Sequence, residues 1–364
     1  EPLEYQWIQQ GQMATLTEAI SSAKLTRGHV NFDDQTINQR LAVSGSIDGA
    51  TATIDMKDAS DRVSMALVLE LYPTLWAEAL YASRTPSTKL PNGKLVHLKK
   101  FAPMGSAVCF PVEALCFYAL AVAAVYTKRM ILSDGSLSFW GKHRLNVSAL
   151  RRAAQSIYVY GDDIICNTED CGIINQVLES FHLKVNRDKS CMTGSFRESC
   201  GVDAFKGINV TPVRLKRRWL SSTTLTPETY LAYVAQSNAL FAKGYTEAAW
   251  FLERAIQKLR PTPYCTLANP PGLAFSRPHL GWHATLTRVP RRYNDALQRM
   301  EVRTYTVVPM REHGTDLGWK ELLRCESLKA TTSRPDLVQL GGEMAGVYAV
   351  PRRYKLKRGW MPLC

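Results

Sequence analysis

Residues 156–166 read SIYVYGDDIIC, with two adjacent aspartates between two runs of strand character. Gly161-Asp162 suits a two-residue hairpin loop, because glycine tolerates positive φ and aspartate tolerates it better than most residues. Alternation along such a ribbon is expected to put Ile157, Val159, Asp163 and Ile165 on one face, with Tyr158 and Tyr160 on the other. A simple turn does not need two like charges side by side. The pair therefore reads either as a turn or as part of a site, and the decision rests on whether a third carboxylate is brought to the same place.

The 364 residues are 46% hydrophobic and 21% charged, a globular composition long enough for one large domain or two to three subdomains. A formal net charge of +13 and a pI near 9.3 favour a polyanionic partner, nucleic acid before an anionic membrane surface. Nine cysteines, an odd number with no C-x-x-C pair, speak against a disulfide framework or a zinc site and for a reducing cytosol. The seven histidines show no ligand spacing. No signal segment opens the sequence. The most apolar stretch, Ala107 to Tyr126, is interrupted by Pro111 and Glu113. Its uncharged run is read as too short to span a bilayer, so a buried helix is expected there.

Outward from the hairpin, Ala50 to Met56 reads as a strand ending in Asp55. Ser60 can cap a helix running to Tyr72, where Pro73 stops it, with Val63, Leu67 and Leu71 as its apolar stripe. Asp33-Asp34 is expected to cap a short helix to Leu41, and the turn-rich residues 83–100 suggest a hairpin. A helix from Cys171 to His182 and short strands near 183–185 and 196–210 follow. From Thr226-Pro227 the pattern turns helical, with a stop at Gly244, a restart at Thr246 and a second stop at Pro261. Composition shifts near Leu220.

Asp55, at the end of its strand, supplies the third carboxylate. A strand followed by a helix can pack against an antiparallel hairpin, which brings Asp55, Asp162 and Asp163 to one sheet edge. Like charges that close repel unless a cation sits among them. Oxygen ligands without histidine or cysteine suit Mg²⁺, with Mn²⁺ a substitute. Two such ions, roughly 3.5–4 Å apart, can activate a hydroxyl and stabilise a leaving oxygen at phosphorus. In a basic chain this chemistry points to nucleotidyl transfer.

Motif by motif the sequence resembles the palm of RNA-dependent RNA polymerases. Asp55-Met56-Lys57-Asp58-Ala59-Ser60-Asp61, Met104-Gly105-Ser106, Tyr160-Gly161-Asp162-Asp163 and Asp188-Lys189-Ser190 carry the resemblance. DDQTINQRL (Asp33 to Leu41), YGDDIIC (Tyr160 to Cys166) and GSFRESCG (Gly194 to Gly201) narrow it to the replicases of single-stranded RNA bacteriophages, the leviviruses. The match is dense from Asp33 to Val210.

The resemblance implies an α/β (α+β) palm whose antiparallel sheet carries the GDD hairpin, with partial fingers and a mostly helical thumb. Residues 1–49 would be partial fingers, 50–220 palm with a finger-like insertion about 83–103, and 221–364 thumb and basic C-terminal region. It makes Asp55, Asp162 and Asp163 the ligands of two Mg²⁺ ions. Lys189 becomes the acid that protonates pyrophosphate, with Lys184 its competitor. Asp61, Gly105 and Ser106 would contact the ribonucleoside triphosphate, and Phe196 and Arg197 the product strand. Asp58 reads as a solvated carboxylate.

Just beyond the GSFRESCG stretch, Arg214, Lys216, Arg217 and Arg218 are expected to meet RNA phosphates. The tail Arg352 to Trp360, with Lys355, Lys357 and Arg358, is either RNA-binding or disordered. Two departures stand out. Cys109 and Glu113 occupy positions where many polymerases have threonine and asparagine. Glu1-Pro2-Leu3 looks like the tail of a basic fingers motif, so the sequence reads as a fragment. Further implications are template and product RNA as partners, host elongation factors Tu and Ts as subunits, and a bacterial host cytoplasm. A reverse transcriptase-like palm, disfavoured by Asp61, and a catalytically inactive RNA-binding fragment stay open as alternatives. A membrane-surface role lacks an amphipathic segment.

Overall fold

A computed structural model describes residues 1–102, 105–134, 145–215, 226–278, 289–309 and 354–362. The chain divides into two compact units, Glu1–Pro212 and Val213–Cys364, so the division falls a few residues before the compositional shift.

In chain order the first unit holds α1 (Leu3–Ser22), α2 (Thr36–Asp48), β1 (Thr51–Lys57), α3 (Ala59–Arg62), α4 (Met65–Leu71) and α5 (Thr74–Ala82). The small hairpin β2 (Ser87–Lys89) and β3 (Leu95–His97) follows, then α6 (Cys109–Asp134), α7 (Val147–Ala154), β4 (Tyr158–Tyr160) and β5 (Asp163–Asn167). The unit ends with α8 (Cys171–Ser180), β6 (Lys184–Val185), β7 (Phe196–Ser199), β8 (Val202–Phe205) and β9 (Ile208–Asn209).

The central sheet runs β4-β5-β1-β6 with every neighbour antiparallel. β4 and β5 are the expected hairpin, closed by Gly161-Asp162, with Gly161 at φ 60. Tyr160 pairs with Asp163 and Tyr158 with Ile165. Directly paired residues point the same way. The face assignment made by counting straight through the turn is therefore corrected. A two-residue loop joins positions three apart, so Asp163 and Ile165 share the tyrosines' face, not that of Val159. On the other face Ala52, Ile54, Val159, Ile164 and Cys166 are almost fully buried and cluster with Phe117 of α6 and Ile174 of α8. Each such isoleucine contributes about 1.5–3 kcal/mol by burial. The outer edge of β4 is covered by a parallel bridge from Val30 to Val159.

Three expectations change. α1 escaped notice because its buried residues, Gln9, Leu16 and Ile20, make no apolar stripe. The single helix from Ser60 to Tyr72 is two, because backbone pairing with the 99–101 segment takes over at Val63 to Met65. Ser64, not Ser60, is the side-chain cap, accepting from the Leu67 N–H at 3.1 Å. The apolar helix α6 is longer than read: Pro111 lies in its first turn, where proline is tolerated. Its stretch Cys109–Ile131 has the length and composition to cross a membrane, yet 78% of its 18-residue apolar window is buried within the protein. As expected, Asp34 accepts from the Thr36 N–H at the start of α2, at 2.8 Å.

The second unit begins with the expected helices, α9 (Pro227–Ala242) and α10 (Thr246–Leu259). Thr226 caps α9 through its hydroxyl, and proline sits at the helix start. Tyr230, Tyr233, Val234 and Ile256 form their shared core with Leu273 and Phe275. Helical content stops there among the described residues. Beyond Pro261 come the short parallel pair β10 (Tyr264–Cys265) and β11 (Phe275–Ser276). An antiparallel sheet follows, built from β12 (Arg291–Asn294), β13 (Arg299–Pro309) and β14 (Tyr354–Pro362).

Candidate active site at the hairpin tip

The ladder between β1 and β5 places Asp55 directly opposite Asp163, and the loop puts Asp162 at the tip beside them. This is the convergence that the sequence suggested. Asp55 Oδ2 accepts from the Asn186 amide at 2.7 Å, and Lys189 Nζ stands 3.9 Å from Asp55 Oδ1. The Asn186 N–H donates to the Asp55 carbonyl, and the Ser190 hydroxyl accepts from the Asp55 N–H. The turn after β6 is thereby clamped to β1, and this clamp holds Lys189 near the acids. Lys184 instead pairs in register with Lys57, one strand step further along.

The two loop acids are electrostatically uncomfortable. Burial pushes Asp163 up to about 6; Asp162 and Asp55 add to the rise, while the Cys200 N–H, donating to Asp163 Oδ2 at 2.9 Å, opposes it. Asp162 keeps solvent contact at the tip, yet its pKa is also raised. Desolvation is the main cause and Asp55 a further one, against the pull of its own N–H and Lys189. Among the described residues no three acid, histidine or cysteine side chains stand as a ready metal cage. Asp55 and Asp163 are each engaged by a protein donor, and Asp162 is the acid presented at the tip. The donor set is nonetheless all carboxylate oxygen with an unbalanced negative charge, which fits a hard divalent cation.

Sequence reasoning undervalued one residue. Glu113, in the first turns of α6, is buried with a pKa raised to about 8, by burial first and by Asp162 second. The Cys109 thiol contacts its Oε2 at 3.7 Å. The two residues that break the polymerase pattern thus form one buried pair within electrostatic reach of the loop acids. The signal was visible: a lone acid inside a 20-residue apolar stretch.

The remaining candidates separate. Asp61 is exposed and held by Lys100, a partner from the segment that splits α3 from α4. Asp58 is solvated, with a left-handed φ of 54 and a loose pairing to Arg62. Gly105 is exposed at φ 98. Ser106 is corrected: its hydroxyl is buried and donates to Gln9 Oε1 at 3.1 Å, so it is occupied in the fold and not offered to a nucleotide. Arg197 is corrected more strongly. It has no exposed surface, and its guanidinium donates to the carbonyls of Thr51, Thr193, Gly194 and Phe196. It ties the β7 turn to β1 and leaves nothing for RNA. Its neighbour Phe196 is 40% exposed, and Arg214 is exposed. Met104, Lys216, Arg217 and Arg218 lie outside the described residues.

A protein-family model described as RNA replicase, beta-chain, matches residues 7–143 and 130–226. The chain is 34% identical over 202 residues to the RNA-directed RNA polymerase subunit beta of Qbeta virus strain MX1, covering 56% of this chain and 31% of that protein. It is 34% identical over 199 residues to the corresponding subunit of Enterobacteria phage SP, covering 55% and 31%. To the RNA-directed RNA polymerase beta chain of Escherichia phage MS2 it is 32% identical over 219 residues, covering 60% and 34%. The chain thus spans about a third of the length of the curated relatives it matches. Among solved structures, telomerase from Candida albicans in complex with a TWJ fragment of telomeric RNA aligns with 69% of this chain and 46% of its own. That alignment has 15% identity and a TM-score of 0.34, too slight to carry an argument.

Proposed function

The chain belongs to the RNA replicase beta-chain family, and on that premise we propose that it forms the catalytic palm of an RNA-directed RNA polymerase. The reaction is template-directed addition of ribonucleotides to an RNA 3′ end by a two-metal mechanism, serving replication of a phage RNA genome. The observation that carries this reading is the register pair Asp55–Asp163 with Asp162 at the adjoining tip, three like-charged acids of which Asp162 and Asp163 have raised pKa values.

In this reading Asp55 and Asp162 hold Mg²⁺, with Asp163 beside them and Mn²⁺ a substitute. When bound, the ions supply charge neutralisation for the attacking hydroxyl and the leaving oxygen. The chain's own residues do the rest. Asn186 and Ser190 orient Asp55. Lys189 donates a proton from Nζ to the departing pyrophosphate, a general-acid contribution of about 10²–10⁴-fold. Asp61 accepts from the ribose 2′-hydroxyl once Lys100 has released it. Residues 1–49 act as partial fingers, 50–220 as palm and 221–364 as thumb. Template and product RNA, ribonucleoside triphosphates and host elongation factors Tu and Ts are the partners, in the bacterial host cytoplasm.

Primer extension on an RNA template with Mg²⁺ and ribonucleotides tests this, using the chain extended to the length of its relatives. Asp162→Asn is expected to lower extension by about 10²–10³-fold or more while RNA binding persists. RNA binding without any extension by the parent, with elongation factors present, would overturn the reading in favour of a binding-only protein.

A further inference from the structure

The β12–β14 sheet concentrates charge in a way the polymerase chemistry does not use. In residues 289–309 and 354–362, seven basic side chains stand against two acidic ones, so the local excess is a large part of the chain's +13. Register places Arg292 opposite Glu301, Arg303 opposite Trp360, and Tyr305 opposite Arg358, so these six side chains share one face. On that face Trp360 is flanked by the guanidinium carbons of Arg292, 4.5 Å from the ring centroid, and Arg303, at 5.9 Å. Tyr305 is flanked by Arg358 at 5.4 Å and by Arg260, from the end of α10, at 4.9 Å.

The charges are not all spent within the fold. Glu301 neutralises Arg292 and Arg299. Among the described residues Arg303 and Arg358 have no carboxylate partner, and both are exposed. Lys355 and Lys357 are exposed as well, on the sheet's other face. Guanidinium planes fixed on aromatic rings present flat surfaces for bases and N–H forks for phosphates. A charged face of that kind fits a flexible polyanion with π-faces better than it fits a smooth anionic surface.

We infer that this face of the β12–β14 sheet, through Arg303, Arg358 and Trp360, binds a segment of single-stranded RNA. The choice of RNA over another polyanion rests on the polymerase reading; the surface itself does not. Binding is by stacking and phosphate contact, so it is tolerant of base sequence and steeply dependent on salt.

The test is fluorescence anisotropy of the full 364-residue chain with a labelled 12-nucleotide oligouridylate across a KCl series. Arg303→Gln with Arg358→Gln is expected to weaken binding about tenfold at 0.15 M salt and to reduce the log–log salt slope by about 1.4, two phosphates' worth. Photocrosslinking of a 4-thiouridine oligonucleotide to the unaltered chain, which needs no variant to fold, should mark peptides within 299–305 or 354–362. Equal binding by parent and double variant, or crosslinks confined to the first unit, overturns the inference and leaves the polymerase reading standing. Tighter binding of poly-glutamate than of the oligonucleotide overturns it in favour of an acidic protein partner. No binding of RNA by the parent at low salt overturns the inference and the polymerase reading together.

Discussion

Glu301 on β13 and Asp163 on β5 are acids on antiparallel strands, with opposite surroundings. Glu301, 2% exposed, is gripped by Arg292 and Arg299 at 2.8 Å each, and these partners hold its pKa down at about 2. Asp163 faces Asp55 across the ladder and sits next to Asp162, and burial with these neighbours pushes it to about 6. The first acid is complete within its own sheet. The second is left short of positive charge, with only Cys200, through its N–H and its thiol, against it. An acid satisfied by arginines contributes to the fold, whereas acids gathered without counter-charge cost stability until something else arrives.

The widest gap is expected at Asp162. Its raised pKa means the folded chain is penalised once pH rises above the ordinary carboxylate range. Asp162→Asn, which should abolish extension, should therefore melt at a higher temperature than the parent at pH 7 and not at pH 3. Melting at a lower temperature at pH 7 would break the contrast. Next comes Arg197, whose guanidinium serves carbonyls as Arg292 serves Glu301. Arg197→Met should cost about 3 kcal/mol by orphaning buried acceptors, read from denaturant unfolding. A variant of unchanged stability that binds RNA poorly would return Arg197 to the RNA surface.

Gly161→Ala is expected to cost about 1–3 kcal/mol. Its Cβ would lie 2.3 Å from the Phe110 ring, at a φ of 60. The finest test pairs Glu113→Gln with Glu301→Gln in melts from pH 2 to 9. The parent should lose stability relative to Glu113→Gln as pH climbs from about 4.5 through 8, because its folded pKa is raised. Its advantage over Glu301→Gln should be full above about 4.5 and fade as pH falls through 2. Parallel slopes would show that the two acids are not in opposite environments.

What could be read from the sequence was local. The hairpin, the strand that carries Asp55, the cap at Thr226 and the helix pair each declare themselves within a dozen residues. What could not be read depends on distant partners. Ser106 is buried because Gln9, 97 residues earlier, reaches its hydroxyl. Arg197 is spent because Thr51, 146 residues earlier, offers a carbonyl. The helix after Asp58 breaks because a segment nearly forty residues on pairs with its middle. The face carried by Asp163 was misread for a smaller reason, the parity of a two-residue turn.

The burial of α6 sets a timetable for synthesis. Its cover comes from both sides in sequence, with α1 and α4 before it and α7, β4 and α8 after it. A nascent chain that has just emitted Asp134 carries a long apolar helix with half its partners unmade, and only after about Ser180 is the set complete. During that interval the helix is a target for chaperones, for the secretion machinery, or for its own kind on a neighbouring nascent chain. Slowed translation between residues 134 and 180 should therefore reduce the yield of soluble protein without changing any residue of the folded one.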